Sequence, residues 1–275
     1  MTRWPSAEQV KPNLCPSDKV QYGKDQELIG IMEESMGNPK HYGIELPVRC
    51  LELIEKLWPA ACEVHGGERP DLGPLTSTFL LSMSIPVINI PLERIERHIN
   101  KPEGVTYADD RHLNAEAEKA FDDVIRKGRL SNAPFYQTGV WHFVQVEPKT
   151  LPNIAKGLST ELANELGGAD AEKRAHEMNA SQWVSVLRNA MAHGGIAYLD
   201  ENGHSTDGAA VRMYAFVSGK YGKPQCQHAE GDCRFGMGEL ERINILRISE
   251  DNYKEFLRRW VAWLVETTLV NKTAA

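Results

Sequence analysis

Arg188-Asn189-Ala-Met-Ala-His193, running straight into Gly194-Gly195, places a guanidinium, an amide and an imidazole in one short stretch. Such a set can hold and cut a phosphodiester. The residues before it, Ser181-Gln-Trp-Val-Ser-Val-Leu187, read as the helix that carries them. At about 100° per residue, Val186, Ala190, Trp183, Leu187, Met191 and Val184 fall on one arc of that helix. Arg188, Ala192, Ser185, Asn189 and His193 fall on the other, in that angular order. The split is that of an amphipathic helix, and its polar arc holds no ordinary solvating Lys or Glu. Residues five apart lie roughly 140° apart around a helix, so Arg188 and His193 project in different directions. Asn189 sits between them, one turn below His193. Gly194 suits the left-handed position after a helix end. His193 then falls in the last turn, where the negative end of the helix dipole favours a cationic ring and general acid–base work. The competing reading of the same residues is a C-terminal helix histidine facing the last carbonyls and an arginine in a surface ion pair.

The motif resembles that of the HEPN domains (higher eukaryotes and prokaryotes nucleotide-binding). These are helical bundles whose signature is Arg, a polar residue, a short spacer and His, matched here by Arg188, Asn189, Ala190-Met-Ala192 and His193. The run Gly73-Pro-Leu-Thr-Ser-Thr-Phe-Leu-Leu-Ser-Met-Ser-Ile-Pro-Val-Ile-Asn-Ile-Pro-Leu-Glu-Arg-Ile95 is similar to the long early helix of several members. The resemblance implies a mainly α, HEPN-like bundle over about residues 44 to 270. It also implies a metal-independent endoribonuclease, often a toxin or defence effector, in which His193 is the acid/base, Arg188 the phosphate clamp and Asn189 the residue that shapes the pair. Non-catalytic members imply the alternative, a nucleotide- or RNA-binding or protein-interaction module. A homodimer would line one cleft with two such sets, and antitoxin proteins partner many toxin members. Some members carry a tyrosine two residues after the histidine, the target of an AMP-adding antitoxin; here that position is Gly195.

Composition bounds these expectations. A chain of 275 residues, 41% hydrophobic and 25% charged, is ordinary for a globular protein and can bury a large core. Its net charge of −7 argues against a general nucleic-acid-coating surface, so any RNA contact must be local. No apolar signal segment follows Met1-Thr-Arg-Trp-Pro5, and the apolar run Leu75 to Leu92 is interrupted by hydroxyl residues and two prolines. A buried helix is expected there, and a cytoplasmic protein without a membrane span. Five scattered cysteines fit reduced thiols. Cys226-Gln-His228 with Cys233, and His204 as a conceivable fourth ligand, lacks a paired C-x2-C knuckle, so no metal and no cofactor is expected.

The elements that must position the motif follow from periodicity. Residues 1–41, rich in Pro, Lys, Asp and Gly, are expected to form an extended arm, and 42–275 one helical domain. Ile44 to His65 reads as a helix, and Leu75 to Ile99 as a long helix kinked at Pro86 and Pro91. Further helices are expected over Asn114 to Arg126, Leu151 to Leu166 and Ala171 to Met178, while Phe135 to Val146 fits either a strand or a buried connection. A small antiparallel sheet, with strands at 196–199, 211–217 and 242–248, is expected as an insertion at about 196–248 before the last helix. Ser249 should cap that helix, whose stripe of Tyr253, Phe256, Leu257, Trp260, Val261 and Leu264 should be core. Glu93-Arg94-Ile-Glu96-Arg97-His98 could bring positive charge to the site or be a solvated face of i,i+4 pairs. Gly219-Lys-Tyr-Gly222 is expected to turn, and His204, Ser205 and Asp207 lack a nucleophile elbow.

Overall fold

The apolar arc read from residues 183–191 is buried: Trp183, Val184, Val186, Leu187, Ala190 and Met191 all face the core. In the computed structural model, which describes residues 43, 45–63, 74–99, 115–147, 157–206, 210–222 and 238–269, this helix packs among others against one face of a sheet. The described residues belong to the unit Pro39–Ala275, so the expected N-terminal arm lies outside them, as do Cys226, His228 and Cys233.

The helices are α1 (Glu45–Cys62), α2 (Thr76–Ser84), α3 (Ile90–Ile99), α4 (Ala115–Phe121), α5 (Thr160–Gly167), α6 (Ala169–Glu177), α7 (Ala180–His193) and α8 (Glu250–Leu269). The strands are β1 (His142–Val146), β2 (Ile196–Leu199), β3 (Met213–Tyr221) and β4 (Leu240–Ser249), in the order β1-β4-β3-β2, all antiparallel. The chain is thus mainly helical with a small antiparallel sheet. The sheet is not wholly an insertion before the last helix, because β1 comes from before α5 and pairs with β4. The aromatic, β-branched run ending at Val146 is that strand. Gly219–Tyr221 continues β3 instead of turning, and residues 157–159, within the helix expected from Leu151, are not helical: α5 begins at Thr160, with Ser159 Oγ accepting from the Leu162 N–H at 3.3 Å.

Both prolines of the long helix act, but through one feature. A π-helical turn at Ile85–Asn89 joins α2 to α3, with Pro86 near its start. A proline cannot donate to the carbonyl four residues back, so Pro91 leaves the Val87 carbonyl without its helical partner. Trp260 Nε1 of α8 donates to it at 2.9 Å, pinning α8 across the turn. A second π-turn, Asp122–Arg126, follows α4.

Side-chain alternation divides the sheet into two buried faces. Phe143, Tyr214, Phe216, Leu246 and Ile248 join the main core with α1, α7 and α8. Val144, Ala197, Leu199, Ala215, Ile243 and Ile245 pack instead against Leu162 and Leu166 of α5 and Ala171 of α6. At the centre of the main core, Trp183 stacks on Phe135 with centroids 5.5 Å apart and meets Trp141 and Phe256 edge-on at 5.1 and 5.2 Å. Ser249 Oγ accepts from the Asn252 N–H at 3.3 Å, the cap expected for α8, and the apolar stripe of that helix is buried. Among the described residues, no helix is long and apolar enough to cross a membrane.

Candidate functional site on helix α7

Helix α7 ends at His193 because Gly194 takes the left-handed conformation, φ 70°, which costs glycine little. Gly195 is packed so tightly that a Cβ there would lie 2.3 Å from the Val217 carbonyl oxygen, and this close approach lets the chain turn directly into β2. His193 and the neighbouring Ala192 are exposed at that helix end, while Arg188 and Asn189 are half-buried.

The three motif side chains meet different neighbours. Arg188 reaches toward α3, where its Nη1 donates to Glu96 Oε2 at 2.9 Å and lies 3.3 Å from Glu93 Oε1. The charged run on α3 therefore does approach the motif helix, but through Glu93 and Glu96, whose carboxylates pair with Arg188, and neither as positive charge for the site nor only as a face of i,i+4 pairs. In a single copy the arginine is in an ion pair, and Arg188, Asn189 and His193 share no hydrogen bond among the described residues.

Asn189 turns the other way, into a cleft of about 460 Å³ between α7 and the sheet. Gln182, Ser185 and Asn189, at i, i+3 and i+7, form one wall. The opposite wall is a row across three strands, since Gln145 pairs with Asn244 and Asn244 with Ser218 in register. Gln145 Nε2 donates to Asn244 Oδ1 at 2.7 Å, and Arg242 Nη1 donates to Gln145 Oε1 at 2.7 Å. Val186, Gly219 and Lys220 complete the lining. The lining thus combines amides, hydroxyls and one ammonium, able to donate and accept hydrogen bonds, with the apolar side chain of Val186. Sequence reasoning missed this cleft apart from Asn189. The available signal was Gln145 and Asn244, polar residues on the strand face that otherwise carries Phe143, Leu246 and Ile248.

Elsewhere, the turn after β2 is structural. Asp200 Oδ1 accepts from the Asn202 and His204 N–H groups at 2.9 Å each, holding the Asp200 carboxyl below its ordinary range, and Ser205 Oγ accepts from the Leu158 N–H at 2.7 Å. Deep in the core, the Tyr214 hydroxyl donates to Glu250, and burial beside that carboxylate pushes the phenol pKa far up. Among the described residues, no three candidate metal ligands gather. No known family model, curated protein or solved structure matches this chain.

Proposed function

We propose that this chain is a metal-independent endoribonuclease whose cleavage site is completed by a second copy. The observation that carries the reading is the end of α7, where His193 stands exposed beside the small Ala192, against a left-handed glycine that stops the helix there. The imidazole is open to substrate, and a second helix can come close over the alanine. In a two-fold dimer, one His193 takes the proton from a ribose 2′-hydroxyl as the 2′-oxygen attacks phosphorus. His193 of the partner subunit protonates the departing 5′-oxygen, leaving a 2′,3′-cyclic phosphate. Arg188 binds the phosphate and stabilises the added negative charge once it exchanges a carboxylate for it.

One observation favours a second reading, nucleotide or RNA binding without chemistry: within a single copy Arg188 is already engaged by Glu93 and Glu96, whereas Asn189 lines a formed cleft. Cleavage of single-stranded RNA in EDTA by wild type, His193→Ala and Arg188→Ala separates the two. The nuclease reading expects cutting by wild type alone, with dimerisation and melting temperature nearly unchanged in the variants. Binding without cutting by wild type supports the second reading, and equal cutting by His193→Ala refutes the first.

A further inference from the structure

On the opposite face of the sheet from α7, His142 and Arg247 stand directly across from each other on β1 and β4. Alternation puts them in the layer that holds Val144 and Ile245, covered by α5 and the start of α6. The next positions in the same cross-strand row are Ala215 and Ala197, whose short side chains belong to the same packed layer. Arg247 is only 8% exposed. Its guanidinium makes no hydrogen bond or ion pair with any described residue, an uncommon state for a buried arginine. Beside it, His142 Nδ1 is buried and also lacks a hydrogen bond among the described residues. Burial and the Arg247 charge push the His142 pKa down, while Glu172 of α6 and a hydrogen bond to the Leu166 backbone oppose that shift.

Two glycines frame the guanidinium. A Cβ on Gly203 would lie 2.8 Å from Arg247 Nη1, and one on Gly167 would lie 3.8 Å away. Gly167 closes α5 and Gly168 opens α6 without a side-chain cap, so two helix ends meet beside the arginine. Glu172 of α6 forms no ion pair with Arg247 among the described residues. An unpaired guanidinium and an unpaired imidazole nitrogen on neighbouring strands converge on one spot between a framing pair of glycines. A carboxylate could occupy the guanidinium alone, but the neutral imidazole on the adjacent strand, whose one N–H serves the Leu166 backbone, offers Nδ1 as an acceptor and calls for a protonated oxygen, which a monohydrogen phosphoryl group has.

We infer that the α5–α6 face of the sheet holds a phosphate-binding site, in which the Arg247 guanidinium donates to a phosphoryl group and His142 Nδ1 accepts from a protonated oxygen of that group. The group is inorganic phosphate or the terminal phosphate of a small ester. The site lies across the sheet from α7, so its fate is independent of the nuclease reading.

The test uses the full-length chain with inorganic phosphate, glycerol phosphate and acetate as probes, at matched ionic strength. Wild-type melting temperature should rise saturably with phosphate or the ester but not with acetate, and phosphate should shift the His142 imidazole resonances. A stronger response to inorganic phosphate or to the ester identifies which source the site serves. Arg247→Met, which replaces a buried unpaired charge with an apolar chain, should melt no lower than wild type and lose the phosphate response. His142→Leu should weaken phosphate binding about tenfold. The inference is overturned if wild type shows no saturable phosphate response, if acetate matches phosphate, or if Arg247→Met keeps the response. Should Arg247→Met fail to fold, the wild-type imidazole spectrum decides: resonances unmoved by phosphate overturn it.

Discussion

Glu93 and Glu96 set the terms on which α7 can meet a phosphate, and neutralising both tests the role given to Arg188. The two carboxylates hold one guanidinium, at 3.3 and 2.9 Å from the same nitrogen, leaving that corner with a net negative charge. Their side chains are 51% and 36% exposed, so the surrounding dielectric is close to that of water. A phosphate seated on Arg188 would lie about 5 Å from each carboxylate, at a cost of about 0.8 kcal/mol apiece. Together that is about 1.7 kcal/mol, or somewhat over tenfold in affinity. Glu93→Gln/Glu96→Gln should therefore raise affinity for single-stranded RNA about tenfold at low salt, and the gain should shrink as the Debye length contracts. Fluorescence anisotropy with a labelled RNA at two salt concentrations measures both. The lost ion pairs, being partly exposed, should lower stability by no more than about 1 kcal/mol. An affinity that falls or stays put while melting temperature drops would mean that Arg188 fastens α3 to α7 and does not meet phosphate.

Other perturbations probe the frame. Trp183→Ala should cost about 3–5 kcal/mol, because it empties the centre of the ring cluster formed with Phe135, Trp141 and Phe256; urea unfolding checks it, and a cost under about 1 kcal/mol would contradict the packing described. Tyr214→Phe removes the donor to the buried Glu250 carboxylate and leaves Ser77 Oγ, at 3.3 Å, as its remaining side-chain donor among the described residues. The loss should be about 1–3 kcal/mol, read by thermal melting with an unchanged far-ultraviolet spectrum. The His142 pKa is depressed in the fold, chiefly by burial and then by Arg247, so the unfolded chain binds the proton more readily. Stability from this group is present above its ordinary value of about 6.5 and is lost as pH falls below it. Melting curves between about pH 8 and pH 5.5 should show that decline in wild type and a flatter profile in His142→Gln.

What could be read from the sequence followed the strength of local periodicity. Helix α7, its left-handed stop at Gly194 and the capped, aromatic-striped α8 were legible because each is written in consecutive residues. Strand β1 was not, since a five-residue aromatic and β-branched run fits a strand or a buried link equally until a partner is known, and its partner β4 lies about a hundred residues on. The same distance hid the cleft: Gln145 and Asn244 become one row only through that pairing. The partner of Arg188 was half legible. The charged run on α3 was visible as a candidate neighbour, but which of its faces turns to α7 depends on the π-turn at Ile85–Asn89, which shifts the angular phase of everything after it.

The two polar rows of the sheet differ in a way that separates structure from ligand binding. Each interrupts a face where alternation otherwise puts apolar side chains, so each must recover its desolvation cost or carry a liability. Around the α7 cleft the cost is largely recovered inside the chain, because Arg242, Gln145 and Asn244 form a continuous hydrogen-bonded run. That row would hold its geometry with or without a ligand, and anything entering the cleft would meet a preformed surface of amides. Across the sheet nothing described recovers it, since His142 Nδ1 is buried without a hydrogen bond and the Arg247 guanidinium has no described partner. Removing Arg247 should therefore relieve the free protein, whereas removing Asn244 should destabilise it by stranding Gln145. The comparison of Arg247→Met with Asn244→Leu in melting temperature reads that difference directly. Equal losses in both would make the two rows equally structural and remove the energetic reason for placing an anion behind α5.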